Sequence, residues 1–286
     1  MSTASRRPSL LTMVKWTLLD EMYAGWRQLA LLGGNRRSRR WRSGDDALPE
    51  VVLLPGVYEH WTFIRPLGNA LNAAGHRVRV VRGLSINRLP IAVTAARAVT
   101  ALAAEPTPSA GRVIVAHSKG GLVGKHLLMD QAAAAAAAAA SSAPGRADAA
   151  AGALDPGAPP ARLPDVGVLG VVAVCTPFAG SRYARMFVNR TMRALRPDDE
   201  TIVLLGGAAS VNARIVSVYG VFDPHVPEGS VLAGATNVQV DTAGHFMILR
   251  TPEAAAAVLD GIRALASPLW EPPPVEPPPV SPPPVE

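Results

Sequence analysis

The sequence predicts an α/β fold: a mainly parallel sheet of about six strands with helices on both faces. Three observations carry this. Apolar runs of strand length alternate with stretches of helical length between residues 48 and 266. The strand runs are nearly pure Val, Leu and Ile, as in sheets buried on both faces. Hydrophobic residues make up 49% of the 286 residues and charged residues 17%, enough for a real core, which excludes a wholly disordered chain.

The elements follow in order. Residues 9–33 read as a helix, because Leu10, Met13, Val14, Leu18, Met22, Trp26, Leu29 and Leu32 recur at near-helical spacing before Gly33-Gly34 stops them. Val51 to Leu54 is a strand ending in Pro55-Gly56. Thr62 to Ala74 is a helix, Arg77 to Val81 a strand and Ile91 to Glu105 a helix. Arg112 to Ala116 is a strand, followed by a helix from Gly120 to about Gln131. Val168 to Val174 and Arg214 to Tyr219 are strands, and Val238 to Val240 is a weaker one. Pro252 to Ala266 closes the domain as a helix.

Two segments stand apart. Residues 132–164 open with nine alanines, good material for extending the preceding helix, and turn Ser/Pro/Gly/Ala-rich. Residues 271–286 read EPPPVEPPPVSPPPVE, a polyproline II repeat without a core. The expected organisation is therefore a basic helical arm and linker (1–47), a domain (48–266, with the 132–164 insert) and a proline-rich tail (267–286).

The formal net charge is +6. Residues 1–50 hold nine basic and five acidic side chains, so +4 of the +6 sits there. The remainder is near balance, and no nucleic-acid partner is expected. Arg36, Arg37, Arg39, Arg40 and Arg42, with Trp41, form a tight cluster. It reads as a solvated linker or as a contact for anionic lipid. The 9–33 helix packs on the domain or a partner chain, or places Trp16, Tyr23 and Trp26 at a lipid interface. Peripheral membrane contact through residues 9–42 is thus one open reading. The apolar stretch after Arg6 and Arg7 is broken by Lys15, Asp20 and Glu21, so no signal peptide is expected. No run reaches the ~20 apolar residues of a membrane span. A cytoplasmic location follows as an expectation. Cys175, the single cysteine, allows no intrachain disulfide and no cysteine-based zinc site, and reads as a small buried residue. His60, His76 and His126 show no metal-ligand pattern, and no metal or cofactor is expected.

The chemistry concentrates in Val113-Ile114-Val115-Ala116-His117-Ser118-Lys119-Gly120-Gly121. A buried strand runs into a sharp turn and then a helix, so Ser118 projects from a strained elbow as a nucleophile would. Residues two before and two after it must be small; Ala116 and Gly120 are. The helix amino terminus behind Ser118 favours an oxyanion. His117 and Lys119 read as elbow packing and surface charge.

A serine needs a base. His245 follows the 238–240 strand in Asp241-Thr242-Ala243-Gly244-His245, on the sheet edge where Ser118 lies. Asp223, after the 214–219 strand, is the carboxylate expected to orient it, with Asp241 and Glu228 as weaker substitutes. His225 follows Asp223 too closely to be its partner. The order Ser118, Asp223, His245 fits this architecture. Two N–H donors should bind the oxyanion: Lys119, directly after the nucleophile, and Val57 in Pro55-Gly56-Val57-Tyr58, with Tyr58 as an alternative.

These segments, together with TPFAGS (Thr176 to Ser181) and GVFD, resemble the α/β-hydrolase superfamily in its bacterial lipase and esterase branch, over about residues 48–266. The resemblance implies a lid over Arg182 to Asp199, with Tyr183, Met186, Phe187, Met192 and Leu195 guarding an apolar acyl pocket. An ordinary surface helix is the other reading of that segment. Tyr58, Phe178, Met186 and Phe187 are the expected substrate contacts. Two departures stand out: the family's usual His-Gly is Pro55-Gly56 here, and the basic arm replaces a leading β-hairpin. The expected function is hydrolysis of small-molecule or lipid carboxylic esters through an acyl-enzyme. Acyl transfer to another acceptor and thioester hydrolysis use the same triad and stay open. A dehalogenase would need a carboxylate nucleophile. A non-catalytic, membrane-associated scaffold is the rival from another class.

Overall fold

Six strands pair into one wholly parallel sheet, in the order β2-β1-β3-β4-β5-β6. They are β1 (Glu50–Leu54), β2 (Val78–Val80), β3 (Arg112–His117), β4 (Val168–Val174), β5 (Ile215–Phe222) and β6 (Thr236–Ala243). The computed structural model describes residues 8–29, 38–81, 83–84, 86–141 and 164–267. The expectations placed on Gly33-Gly34, on Arg36 and Arg37, on most of the insert and on the proline repeat lie outside these residues.

The Val/Ile/Leu runs do what their composition dictates. Every residue of β1 and β3 is buried. Alternate side chains of the central strands enter two separate cores. One holds Val52, Ile114 and Val171 against α3 (Ile91–Ala103) and α4 (Lys119–Ser141). The other holds Val51, Val113 and Val172 against α2 (Arg65–Ala73) and α7 (Pro252–Ala266). Both faces are thus covered by helices, as expected.

Some boundaries differ for physical reasons. α4 continues through the alanine run to Ser141, since alanine favours the helix even without an apolar face. β6 is eight residues, longer than its apolar signal. It lies at the sheet edge, and Thr236, Gln239, Asp241 and Thr242 escape an apolar-run reading. Residues 182–199 form no continuous amphipathic helix. A 3-10 turn (Arg182–Met186) and a single helical turn, α5 (Arg190–Arg193), share the segment. Beyond them α6 (Glu200–Gly207) starts at Asp199, whose side chain accepts from the Thr201 N–H at 3.0 Å.

Trp41 is not a solvated linker residue. It is buried, meets Trp61 edge-on at 5.4 Å, and donates from Nε1 to Asn69 Oδ1 at 3.0 Å, while Arg39, Arg40 and Arg42 stay exposed.

The amino-terminal helix α1 (Leu10–Leu29) lies across the carboxyl ends of the strands. Trp16 meets Phe222 at the end of β5 (5.9 Å between centroids), Arg250 stacks over Tyr23, and Gln28 donates to the Tyr58 carbonyl beyond β1. Asp20, Tyr23 and Arg27 are its buried face; Leu10, Leu11, Leu18, Met22, Trp26 and Leu29 are exposed. Among the described residues, no helix is long and apolar enough to cross a membrane.

Candidate active site

The strand order reverses between β1 and β3, which leave the sheet's middle in opposite directions. Ligands of open parallel sheets bind at the strands' carboxyl ends beside such a reversal. The Pro55-Gly56 turn and Ser118 meet there: a Cβ on Gly56 would sit 3.0 Å from the Ser118 Cβ.

Ser118 has φ +51°, left-handed backbone that a non-glycine residue rarely adopts. Its neighbours hold the strain in place. The Ser118 N–H donates to the Val174 carbonyl at 2.8 Å. Its own carbonyl accepts from Thr176 Oγ1 and the Gly121 N–H, both at 3.0 Å. Close packing explains the glycines that follow. A Cβ on Gly120 would lie 2.3 Å from the Leu54 carbonyl oxygen, and one on Gly121 2.0 Å from Thr176 Oγ1. Lys119 opens α4, so its N–H has no partner one turn earlier in the helix.

The imidazole of His245 donates from Nδ1 to Asp223 Oδ2 at 2.8 Å. Asp223 Oδ1 accepts from the His225 and Val226 N–H groups at 2.8 and 3.1 Å. His245 is buried, 3% exposed, and Asp223 partly buried. Burial raises the Asp223 carboxyl, but the charge and hydrogen bond of His245 outweigh it and hold its pKa at about 2. For His245, burial opposes the proton, yet the Asp223 carboxylate wins and raises the imidazole above its ordinary 6.5. His225 sits alongside at 4.9 Å from the His245 ring, with Nε2 2.8 Å from Glu21 Oε1. Its pKa is lowered by burial and by the neighbouring His245.

A second histidine–carboxylate pair, this one buried throughout, supports the same rim. His117 Nδ1 meets Glu59 at 2.8 Å and its Nε2 donates to the His245 carbonyl at 2.9 Å. Glu59 Oε2 also accepts from the Gly56 N–H at 3.0 Å. Asn87 Nδ2 donates to the Pro55 carbonyl at 2.7 Å. Glu59 and Asn87 therefore brace the turn where the resembled family uses a histidine. From α1, Asp20 accepts from the N–H groups of His245, Phe246 and Met247 at 2.8–2.9 Å.

Among the described residues, two groups of potential metal-ligating side chains have their ligand atoms within 4.8 Å of one another inside each group: Glu59, His117 and His245, and Cys175, Asp223 and His245. Both His117 nitrogens and His245 Nδ1 are already engaged with oxygen acceptors, so hydrogen bonding accounts for these clusters. The Cys175 thiol is pushed well up by burial and by Asp223, and stays protonated.

The remaining expected residues fall as follows. Val57 and Tyr58 sit in the turn after β1; Tyr58 has φ +58° and its hydroxyl donates to Asn189 Oδ1 at 3.2 Å. Phe178 is buried in the core on the α3/α4 side. Met186 and Phe187 are exposed, and Leu195 is buried. A cavity of about 750 Å³ opens beside Asp223, lined by Thr17, Tyr183, Met186, Tyr219, Phe222 and Val226 among others. Of the four expected substrate contacts only Met186 lines it. Lys119 is not surface charge. Its side chain is buried and donates from Nζ to the Asn87 and Leu89 carbonyls, with a pKa lowered to about 8 by burial.

Asp20, Glu59 and His117 were not legible as a supporting shell. Glu59 offered one signal, an acid three residues after a turn glycine; Asp20 offered none.

No protein-family model matches the chain, and no curated protein matches it. Solved structures do. Aspergillus fumigatus lipase B matches with a TM-score of 0.52 at 15% identity, covering 77% of this chain and 53% of that one. The mature Bacillus licheniformis lipase BlEst2 matches with a TM-score of 0.51 at 13% identity, covering 78% and 94%. This chain spans about half the length of the fungal lipase. At such identities the likeness is one of fold: the chain has the α/β-hydrolase fold.

Proposed function

We propose that the chain is a serine hydrolase of carboxylic esters, acting through Ser118, His245 and Asp223. The observation that carries this reading is a His245–Asp223 pair, its imidazole buried, on the rim where Ser118 stands at a strained, glycine-backed turn. Ser118 Oγ attacks the ester carbonyl while His245 Nε2 takes its proton. Asp223 fixes the tautomer through Nδ1 and stabilises the imidazolium. The N–H groups of Val57 and Lys119 bind the oxyanion, an interaction worth roughly 3–4 kcal/mol per donor. The imidazolium returns its proton to the departing alkoxide, leaving an acyl-enzyme. Water, deprotonated by His245, releases the acid.

The cavity beside Asp223 supports an apolar substrate group, and its volume suits a small organic ligand. That two of the matched structures are a fungal and a bacterial lipase supports an ester as the substrate class. The exposed apolar face of α1 supports peripheral contact with a lipid surface. A fluorophosphonate probe tests the reading. Wild-type protein is labelled covalently and Ser118→Ala is not; folded wild type that resists labelling refutes it.

A further inference from the structure

We propose that Asp20, carried by α1, is a positioning residue for His245: its carboxylate fixes the 244–247 loop in the conformation that aims the imidazole. The inference rests on the triad reading above.

Asp20 is fully buried, about opposite Leu18 and Met22 around the helix. Its Oδ2 accepts from the His245 N–H at 2.9 Å, and Oδ1 from the Phe246 and Met247 N–H groups at 2.9 and 2.8 Å. Three successive N–H groups pointing at one anion form a concave nest, and here they begin a 3-10 turn (Met247–Arg250). The loop is shaped for the carboxylate. Gly244 has φ +109°, and a Cβ there would fall 2.5 Å from Asp20 Oδ1. His245 is thus gripped at three polar atoms: its N–H by Asp20, its carbonyl by His117 and its Nδ1 by Asp223. The grip of Asp20 is the one that comes from outside the sheet's own loops, from a residue 225 positions away.

A structural cap and a positioning residue differ in what their loss does. A cap that only stabilises the fold lowers the melting point and leaves the folded protein's kinetics alone. Asp20 also bears on the charge of His245, since its carboxylate favours the imidazolium alongside Asp223 and Glu59. The charged and titratable groups facing His245 are Asp20 from α1, Asp223 and His225 from the loop after β5, Glu59 from the turn after β1, His117 from β3 and the Cys175 thiol from the end of β4. Neutralising Asp20 removes one of three carboxylates and leaves the rest.

The experiment compares wild type, Asp20→Asn, Gly244→Ala and Ser118→Ala as full-length chains. Fluorophosphonate labelling and p-nitrophenyl acetate hydrolysis are followed from about pH 5 to 10, with near-UV circular dichroism reporting the folded fraction. In Asp20→Asn, kcat falls about 10–100-fold, KM changes less than about threefold, and the acid limb of kcat/KM moves to lower pH. Gly244→Ala, whose methyl displaces the carboxylate, shows the same fall in kcat. Folded Asp20→Asn with wild-type kcat and an unmoved acid limb overturns the inference while leaving the triad reading intact, provided wild type is labelled and Ser118→Ala is not. Unlabelled wild type overturns both. Hydrogen exchange on wild type is the second measurement, independent of any variant folding. The amides of residues 245–247 exchange slowly as a group; exchange at the rate of exposed loops overturns the proposal.

Discussion

Replacing Asp223 by Asn keeps the shape of the side chain and removes its charge. The Asp223 carboxyl sits at about 2 where an unperturbed one titrates at 3.8. At 1.36 kcal/mol per tenfold, that difference is on the order of 2 kcal/mol of net preference for the carboxylate, to which His245 is the main favourable contributor. In the proposed mechanism the same imidazolium forms in the transition state, so loss of the charge alone slows acylation on the order of 10–100-fold. Hydrogen-bond geometry adds to this. Asp223 Oδ1 already accepts from two backbone N–H groups, so the asparagine oxygen is claimed there and its NH2 faces His245 Nδ1. The imidazole must then accept at Nδ1 and carry its proton on Nε2, where it cannot act as a base. The total loss in kcat approaches about 10⁴-fold. Initial rates on p-nitrophenyl acetate, with circular dichroism to confirm folding, measure it. A folded Asp223→Asn within about tenfold of wild type refutes the assignment of Asp223 as orienting carboxylate.

Five further outcomes are expected. If His245 is the base, as proposed, it must be neutral to act, and since its pKa is raised, kcat/KM rises with pH through a value above 6.5 and then levels. The pair's contribution to stability has its own signs. From the His245 side it is full below about 6.5 and fades as pH climbs through the raised value; from the Asp223 side it is full above about 3.8 and fades towards about 2. Urea midpoints across pH read both limbs. Gly120→Ala forces a methyl to 2.3 Å from the Leu54 carbonyl oxygen, so it costs roughly 1–3 kcal/mol in urea unfolding and slows probe labelling by displacing the Pro55-Gly56 turn, the proposed oxyanion site. Met22→Glu on the exposed face of α1 lowers co-sedimentation with anionic vesicles and leaves labelling unchanged; equal binding of both proteins removes the lipid-contact proposal. Deleting residues 141–163 leaves labelling intact, because the described chain on either side, the carboxyl end of α4 and the amino end of β4, lies away from Ser118; a folded deletion without labelling contradicts this.

The primary structure was sufficient for what is local or periodic. Val113 to Ala116 announces a buried strand, and the small residues around Ser118 announce a turn that tolerates no bulk, so the parallel sheet and the sharp turn at Ser118 could be read directly. Asp223 and His245 could be placed because each follows a strand, and strand ends share an edge. The 236–243 strand was only partly legible, since an edge strand with polar residues lacks the apolar run that marks its buried neighbours. Residues 182–199 carry apolar side chains without a period that fixes a helix, and tertiary contacts divide them into two short turns. Lys119 and Trp41 looked like solvent-facing residues beside charges. Only packing decides that a lysine's ammonium reaches two buried carbonyls, or that a tryptophan fills the space over Gly68. Asp20 is the sharpest case. Its partners are three backbone N–H groups, which every residue but proline possesses, so no pattern of side chains could mark them. Folding alone brings a carboxylate of the amino-terminal helix to the loop of His245, because hydrogen-bond partners distant in the chain are chosen by the shape into which the whole chain closes.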